Sequence, residues 1–578
     1  MDLPKPRLPL GQSDFRALRE QGYAYVDKTT LVTEVLEANA QVLLLARPRR
    51  FGKTLNLSML RYFLEKRSED LTPLFAGLHV ETSSSAQPHF QRYPVLFLTL
   101  KDVKETTWAE CREGLAMVLA GLYREHQYLL DAGTLRPHEQ EAFTAILHGT
   151  ASAAQSAGAL RELSRLVALH HGKPVVILID EYDTPLHAAY HGRYYDQAIG
   201  HLRNLLSGGL KDNPHLFKGV LTGILRVAKE SIFSGLNNLA AYSILRPEFS
   251  TAFGFTEAEV EALAQLSEPP AAIHELREWY NGYRFGDHTL YNPWSVINFL
   301  DSADRKFRPY WIATSSNDLV RQLLSTGPLG LRTELETLLR GDTVDKPVEE
   351  HIVLRDLDTK PDAVWSFLLL SGYLRARELY TDDRDLQWGR LDLPNREVRA
   401  ELSAMVHSWM SARVGGATEV EALLQALLRG DATTVERYLS RMLKVSLSYH
   451  DTGGPEPERV IHGFMMGLLV SLGREYEVRS NRESGFGRYD VMILPCTPGH
   501  PGVVLELKTI ETNANTRPTA ALAKALDQIR EREYATELIE RGASPCIEMA
   551  AVFDGKRAWV AKAEGSAPPS GSDPGPNP

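Results

Sequence analysis

Residues 42–54 read VLLLARPRRFGKT: an apolar run, a basic loop, then Gly-Lys-Thr. The run has the length and branching of a buried strand, and LNLSMLRYFLEKR after it repeats with the period of a helix. In a strand–loop–helix of this kind, backbone N–H groups curl around phosphate oxygens, a lysine reaches the terminal phosphates and a hydroxyl holds magnesium. Gly52, Lys53 and Thr54 supply the specific end of that pattern. Its usual first glycine gives the loop conformational freedom; here Arg47 stands in that place, followed by Pro48, which stiffens a different entry. An isolated Gly-Lys-Thr is most often a chance tripeptide, so the reading needs a second motif.

VVILIDEYD, residues 175–183, is that motif. A buried run ending in two acids delivers Asp180 to magnesium and Glu181 to an attacking water. The pair of motifs predicts ATP binding, with Arg47, Pro48, Arg49, Arg50, Phe51, Gly52, Lys53 and Thr54 around the phosphates and Thr54 and Asp180 on the metal. A further run, GVLTGIL, sets Thr222 beside the γ-phosphate as a sensor, with Arg226 or Lys229 in reach.

With 578 residues the chain is too long for one core, and about two to four domains are expected. A hydrophobic content of 43% with 24% charged residues fits a folded chain rather than a disordered or fibrous one. The formal net charge of −10 gives no global attraction to nucleic acid, so any polyanion site must be local. Cys111, Cys496 and Cys546 make neither a disulfide framework nor a zinc ligand set. MDLPKPRLPL lacks the pattern of a signal peptide, and no apolar run approaches the roughly 20 residues of a membrane span, so a cytoplasmic location is expected.

Over residues 41–223 short apolar runs alternate with amphipathic stretches, the pattern of parallel β/α layering. Residues 256–444 read as a helical middle domain whose aromatic patches, EWYNGYRF and LYNPWSVINFL, are expected in the core rather than stacked on bases. From about Glu458, a helix, the strands GRYDVMIL and GVVLELKT, the helix TAALAKALDQIRERE and the strand IEMAAVF predict a small α/β domain. The tail GSAPPSGSDPGPNP has the composition of a disordered segment. The expected domains are therefore 1–255, 256–444 and 445–563, with a tail at 564–578.

YVDKTTLV, LARPRRFGKT, LIDEYDTPL, KESIFSGLNNL, WYNGYRF and LYNPWSVINFL together resemble the AAA-ATPase-like proteins of bacteria, a P-loop group in which RPRRFGK followed by Ser or Thr replaces the glycine-first loop. The likeness runs over about Asp14 to Arg399. It implies a P-loop NTPase fold with a mostly parallel sheet, makes Arg47 the group's own variant, and implies a nuclease-like domain after the ATPase. The loop arginines are assigned to nucleotide phosphates or to a finger reaching another copy of the chain, which is compatible with a homo-oligomer.

In GRYDVMILPCTPGHPGVVLELKT, Asp490 begins one strand while Glu506 and Lys508 lie two apart on the next. Period two puts Glu506 and Lys508 on one face, with Leu505 and Leu507 on the other. The acids can share a divalent metal, and Lys508 can orient a water or neutralise charge on a phosphate. Glu458 on the preceding helix, with His462 one turn on, and Gln528 on the following helix extend the set. The arrangement resembles the PD-(D/E)XK nuclease superfamily, a restriction-endonuclease-like α/β fold, over about Glu458 to Phe553. That resemblance implies Asp490 and Glu506 as metal ligands, Lys508 as the catalytic lysine, and Glu458 and Gln528 as supporting catalytic groups. Tyr489 stands where the motif's proline would be. Arg474, Arg479, Arg482 and Arg488 are matched by Glu475, Glu477, Glu483 and Asp490, so no basic stripe is offered to DNA.

The whole reads as an ATP-binding and ATP-hydrolysing protein with a metal-dependent nuclease domain, using Mg²⁺, or Mn²⁺ at the nuclease site, on DNA before RNA, with no membrane partner. Two alternatives stay open. One is an ATP-regulated binding or signalling protein whose nuclease-like domain is non-catalytic. The other is a scaffold without nucleotide chemistry, for which Lys53, Asp180 and Glu181 are accidents.

Overall fold

The computed structural model describes residues 7–225, 238–267, 271–311, 319–320, 322–323, 329–413, 417–446, 465, 469, 475–484, 487–510, 517–554 and 557–563. The chain divides into two units, Met1–Leu323 with Gly341–Ala400, and Leu324–Arg340 with Glu401–Pro578.

The first unit is built on strands β1 (Val42–Ala46), β2 (Val95–Thr99), β3 (Val175–Asp180), β4 (Leu216–Gly223) and β5 (Leu239–Tyr242), in the order β2-β3-β4-β1-β5 with every pair parallel. β1 and β3 are buried at every position, as unbroken apolar runs require of strands covered on both faces. Leu45 pairs with Thr222 and Ile179 with Leu221, so residues 47, 180 and 222 gather at one end of the sheet. Open α/β sheets bind their ligands there, outside the carboxyl ends of the strands. Helix α1 (Lys53–Leu64) starts at Gly52, whose φ of 86° lies in the left-handed region that side chains rarely adopt. It buries Leu57, Leu60, Phe63 and Leu64, each contributing roughly 1.5–3 kcal/mol. Helix α2 (Thr184–His191) follows β3.

Residues 256–444, expected as one helical domain, do contain the helices Glu257–Gln265, Ile273–Tyr280, Pro293–Asp301 and Ala363–Leu370. They also form a hairpin of β6 (Tyr283–Phe285) and β7 (His288–Leu290), and an antiparallel sheet of β8 (Val344–Pro347), β9 (Arg375–Thr381) and β10 (Gln387–Asp392). The stretch is moreover shared between the two units, which part at Ala400 and Glu401. These strands carry little apolar alternation. Much of β9, RARELYT, is exposed, and Arg375 and Arg377 are tied to Asp392 on β10 at 2.7 Å and 2.6 Å. Charged pairing, invisible to a search for hydrophobic period, does part of the work that apolar packing does elsewhere.

The second unit contains β11 (Tyr476–Ser484), β12 (Gly487–Pro495), β13 (Gly502–Thr509), β14 (Cys546–Asp554) and β15 (Arg557–Lys562), adjacent in that order. Only β13 and β14 pair in parallel, and helix α3 (Pro518–Glu531) supplies the crossover that a parallel pair needs. Val491, Ile493, Leu505 and Leu507 pack with Leu423, Leu427, Leu439 and Leu443 of the helices Ala417–Arg429 and Ala432–Ser446. Met492, Leu494 and Val504 face the other way, against Ile529, Tyr534 and Leu538. Asp490 lies inside β12 rather than at its start, because pairing with β11 extends the strand back to Gly487. Among the described residues, no helix is long and apolar enough to cross a membrane.

Candidate functional site

At the end of β1 the loop turns through Arg50, with φ 65°, and Gly52 into α1, whose first turn has no side-chain cap. Uncapped N–H groups at a helix start are the donors that an anion uses. Lys53 is buried, and its Nζ donates to the carbonyls of Arg47 at 3.1 Å and Pro48 at 2.9 Å. Burial lowers its pKa, against the charges of Glu181, Asp183 and Asp180. Thr54 Oγ1 donates to Asp180 Oδ2 and Thr222 Oγ1 donates to Asp180 Oδ1, both at 2.7 Å. Two hydroxyls from two other elements thus meet on one buried carboxylate, whose pKa burial raises. A hydroxyl and an aspartate in this relation fit a magnesium ion bound with a nucleotide. Glu181, at φ 50°, accepts from Thr184 Oγ1 at 3.1 Å. Arg49, Arg50, Lys53, Thr54 and Glu181 all line a cavity of about 1050 Å³, ample for a nucleoside triphosphate. Arg226 and Lys229 lie outside the described residues.

Arg47 corrects its sequence assignment. Its guanidinium is fully buried and turned away from the cavity, donating to the carbonyls of Ala46 and Tyr242 at 2.8 Å and 2.7 Å and of Glu248 and Phe249 at 3.3 Å and 3.0 Å. It stacks near Phe253 and Phe285, 5.3 Å and 5.4 Å from their ring centroids, and burial pushes its pKa down to about 9. Pro48 also leaves the cavity, closing on Gly372, where a Cβ would come within 3.0 Å of the proline ring. Phe51 meets the rings of Tyr283 and Phe285 at 5.0 Å and 5.1 Å. Arg50 lies 4.3 Å from the Trp294 ring centroid, and Trp311 Nε1 donates to the Arg49 carbonyl at 3.1 Å. The aromatic motifs of the middle region therefore form a collar around the loop. This collar holds by packing a backbone that a first glycine would leave free. Arg47→Gly is expected to destabilise the first unit by roughly 3 kcal/mol or more, from several buried carbonyls left without donors, with no gain in nucleotide affinity. Urea unfolding and nucleotide titration of the same variant check both parts.

Glu397 closes the collar. Its carboxylate accepts from the Trp311 N–H at 2.8 Å and from Ser295 Oγ at 2.9 Å, and burial pushes its pKa up to about 8. A carboxyl protonated in the folded chain and ionised in the unfolded one contributes stability that is complete below the ordinary carboxylate range. That contribution is lost as pH rises through about 8. Glu397→Gln, which keeps an acceptor for both donors, should flatten this loss. The difference between wild type and variant should then change by roughly 1.4 kcal/mol per pH unit between pH 5 and 7.5, read by urea unfolding.

In the second unit, Asp490 on β12 and Glu506 and Lys508 on β13 come together as expected. Asp490 Oδ2 accepts from the Leu507 N–H at 2.8 Å. Glu506 is buried, and its Oε1 accepts from Lys508 Nζ at 2.8 Å and from Gln528 Nε2, on α3, at 2.5 Å. Its Oε2 is buried and has no hydrogen-bond partner among the described residues. Burial raises the Glu506 pKa, the charge of Asp490 adds to the rise, and Lys508 opposes it. An unpartnered oxygen beside a second carboxylate fits a hard divalent cation. Among the described residues no third acid, histidine or cysteine joins the pair, so waters and substrate phosphate would complete the coordination. Glu458 and His462 lie outside the described residues.

Residues 9–233 match the family described as predicted AAA-ATPase, and residues 456–563 match the PD-(D/E)XK nuclease superfamily. The chain joins an AAA-ATPase-like domain to a PD-(D/E)XK superfamily domain. It is also 27% identical over 549 residues to an uncharacterized protein in the vnfD 5′ region of Azotobacter chroococcum mcd 1, covering 93% of this chain and 95% of that one. The likeness extends through both domains and the region between them.

Sequence reasoning named the phosphate-loop and sheet-end residues of the ATPase-like domain and the carboxylates of the nuclease-superfamily domain. It passed over Trp311, Ser295 and Glu397, which hold the loop from elements far along the chain. No local signal marks them, because RPRRF and the YNGYRF and YNPW motifs are remote from one another in the chain.

Proposed function

We propose that the ATPase-like domain binds and hydrolyses ATP with Mg²⁺, and that the nuclease-superfamily domain cleaves phosphodiester bonds of nucleic acid, DNA before RNA, with Mg²⁺ or Mn²⁺. The observation that carries the second half is Glu506 Oε2, buried beside Asp490 without a partner among the described residues, while Lys508 and Gln528 occupy the other oxygen. Asp490 and Glu506 would hold the ion; when bound, it lowers the pKa of a water and takes up charge on the phosphate. Gln528 fixes the Glu506 carboxylate. Lys508, one-third exposed, would meet the phosphate or orient the water. In the first half, Thr54 and Asp180 would hold magnesium, Lys53 would exchange its loop carbonyls for phosphate oxygens, and Glu181 would orient the water.

One observation favours a second reading, in which the nuclease-superfamily domain binds without cutting. Arg479 on β11 is engaged with Glu477 and Glu537, and Arg541 with Glu477, so these cations are neutralised locally rather than offered to a polyanion. Incubating the purified chain with DNA and RNA, with and without Mg²⁺ or Mn²⁺ and ATP, separates the readings. Metal-dependent cleavage supports the nuclease, and its absence under every condition supports the binding module.

A further inference from the structure

The acid after Glu181 in IDEYD has its own partners. Asp183 is 1% exposed, and its Oδ2 accepts the N–H groups of Ile224 at 2.7 Å and Leu225 at 3.1 Å, in the turn that follows β4. The same oxygen lies 3.5 Å from Nε2 of His187, one turn along α2. Burial works against the Asp183 charge, but His187 and the two N–H groups hold its carboxyl below the ordinary range. The carboxylate is therefore a fixed anion behind the imidazole. His187 in turn lines the cavity that Lys53, Thr54 and Glu181 line. His187 Nε2 is buried and makes no hydrogen bond among the described residues, so it meets Asp183 as a charge contact rather than a formed bond. A buried carboxylate on one nitrogen and a phosphate cavity beside the ring is an arrangement suited to an imidazolium, which donates from both nitrogens.

We propose that His187 binds the terminal phosphate of the nucleotide held at Lys53, with Asp183 as its positioning residue. The proposal rests on the ATP-binding reading and adds to it a group that senses the third phosphate. One N–H of the imidazolium goes to Asp183 and the other to a terminal phosphate oxygen, so the ring bridges two anions. A diphosphate has no oxygen at that place.

The test is equilibrium binding of ADP and of a non-hydrolysable ATP analogue, each with Mg²⁺, to the full chain. Wild type is expected to prefer the triphosphate. His187→Ala should weaken the triphosphate by about tenfold, one charge-assisted hydrogen bond, while ADP affinity stays put. His187→Gln, which can still donate once, should fall between. Asp183→Asn should reduce the same preference, and where that variant fails to fold because it also anchors Ile224 and Leu225, the His187 pair decides. A His187→Ala variant that keeps the preference, or loses both nucleotides equally, overturns the assignment and leaves ATP binding standing. A wild type that binds both nucleotides equally also overturns it. A wild type that binds neither overturns the ATP reading itself, and the proposal with it.

Discussion

Asp490→Asn and Glu506→Gln are each expected to lose divalent-metal binding and nucleic-acid cleavage together, cleavage by about a hundredfold or more, while ATP hydrolysis is unchanged. The expectation follows from the division of labour around one carboxylate. Glu506 already uses Oε1 for Lys508 and Gln528, so Oε2 is the oxygen left for an ion, and Asp490 supplies the facing charge. Converting either acid to its amide removes a negative ligand but preserves shape. Lys508→Ala should behave differently, losing cleavage while retaining metal, because the ammonium supports Glu506 without being a ligand. Calorimetric Mn²⁺ titration beside a cleavage assay reads both quantities. Should Asp490→Asn cleave as wild type does, the carboxylates named here are not the ones that work. Should Lys508→Ala lose the metal as well, its effect on Glu506 outweighs any contact with phosphate.

The second large effect concerns the phosphate loop. Lys53→Ala is expected to lower nucleotide affinity by about a hundredfold or more, and Glu181→Gln to bind ATP normally but not turn it over. Lys53 sits buried on the loop carbonyls of Arg47 and Pro48, near three carboxylates, an arrangement that costs desolvation and that phosphate oxygens would relieve. Among the described residues Glu181 carries no comparable structural duty, its one side-chain hydrogen bond there being from Thr184. Its amide should therefore leave the fold and the binding of nucleotide intact. Melting curves with and without ATP separate affinity from stability in both variants, and phosphate release measures turnover. Hydrolysis at the wild-type rate by both would remove the loop and the strand end from the reaction.

The sequence by itself determined what is local. Gly52, Lys53 and Thr54 follow β1 directly, and the strand–loop–helix they form is contiguous in the chain. Asp180 could be read at the end of its apolar run because a buried strand announces its length. Glu506 and Lys508 could be placed on one face because the side-chain period of a strand is two. The approach of Asp490 from the neighbouring strand needed only a short connection.

Tertiary structure decided everything that depends on distant partners. Arg47 reads as a phosphate ligand until Tyr242, Glu248 and Phe249, about two hundred residues on, are seen to take its guanidinium. The aromatic motifs read only as core until Phe51 and Arg50 are found against Tyr283 and Trp294. The helices after Ala400 and the stretch Leu324–Arg340 join the second unit, while Gly341–Ala400 returns to the first, although an amphipathic pattern looks the same whichever core it covers. Period and composition state that a face must be buried. Which face buries it is settled only when segments remote in the chain compete for the same surface, and that competition leaves no mark at any one position.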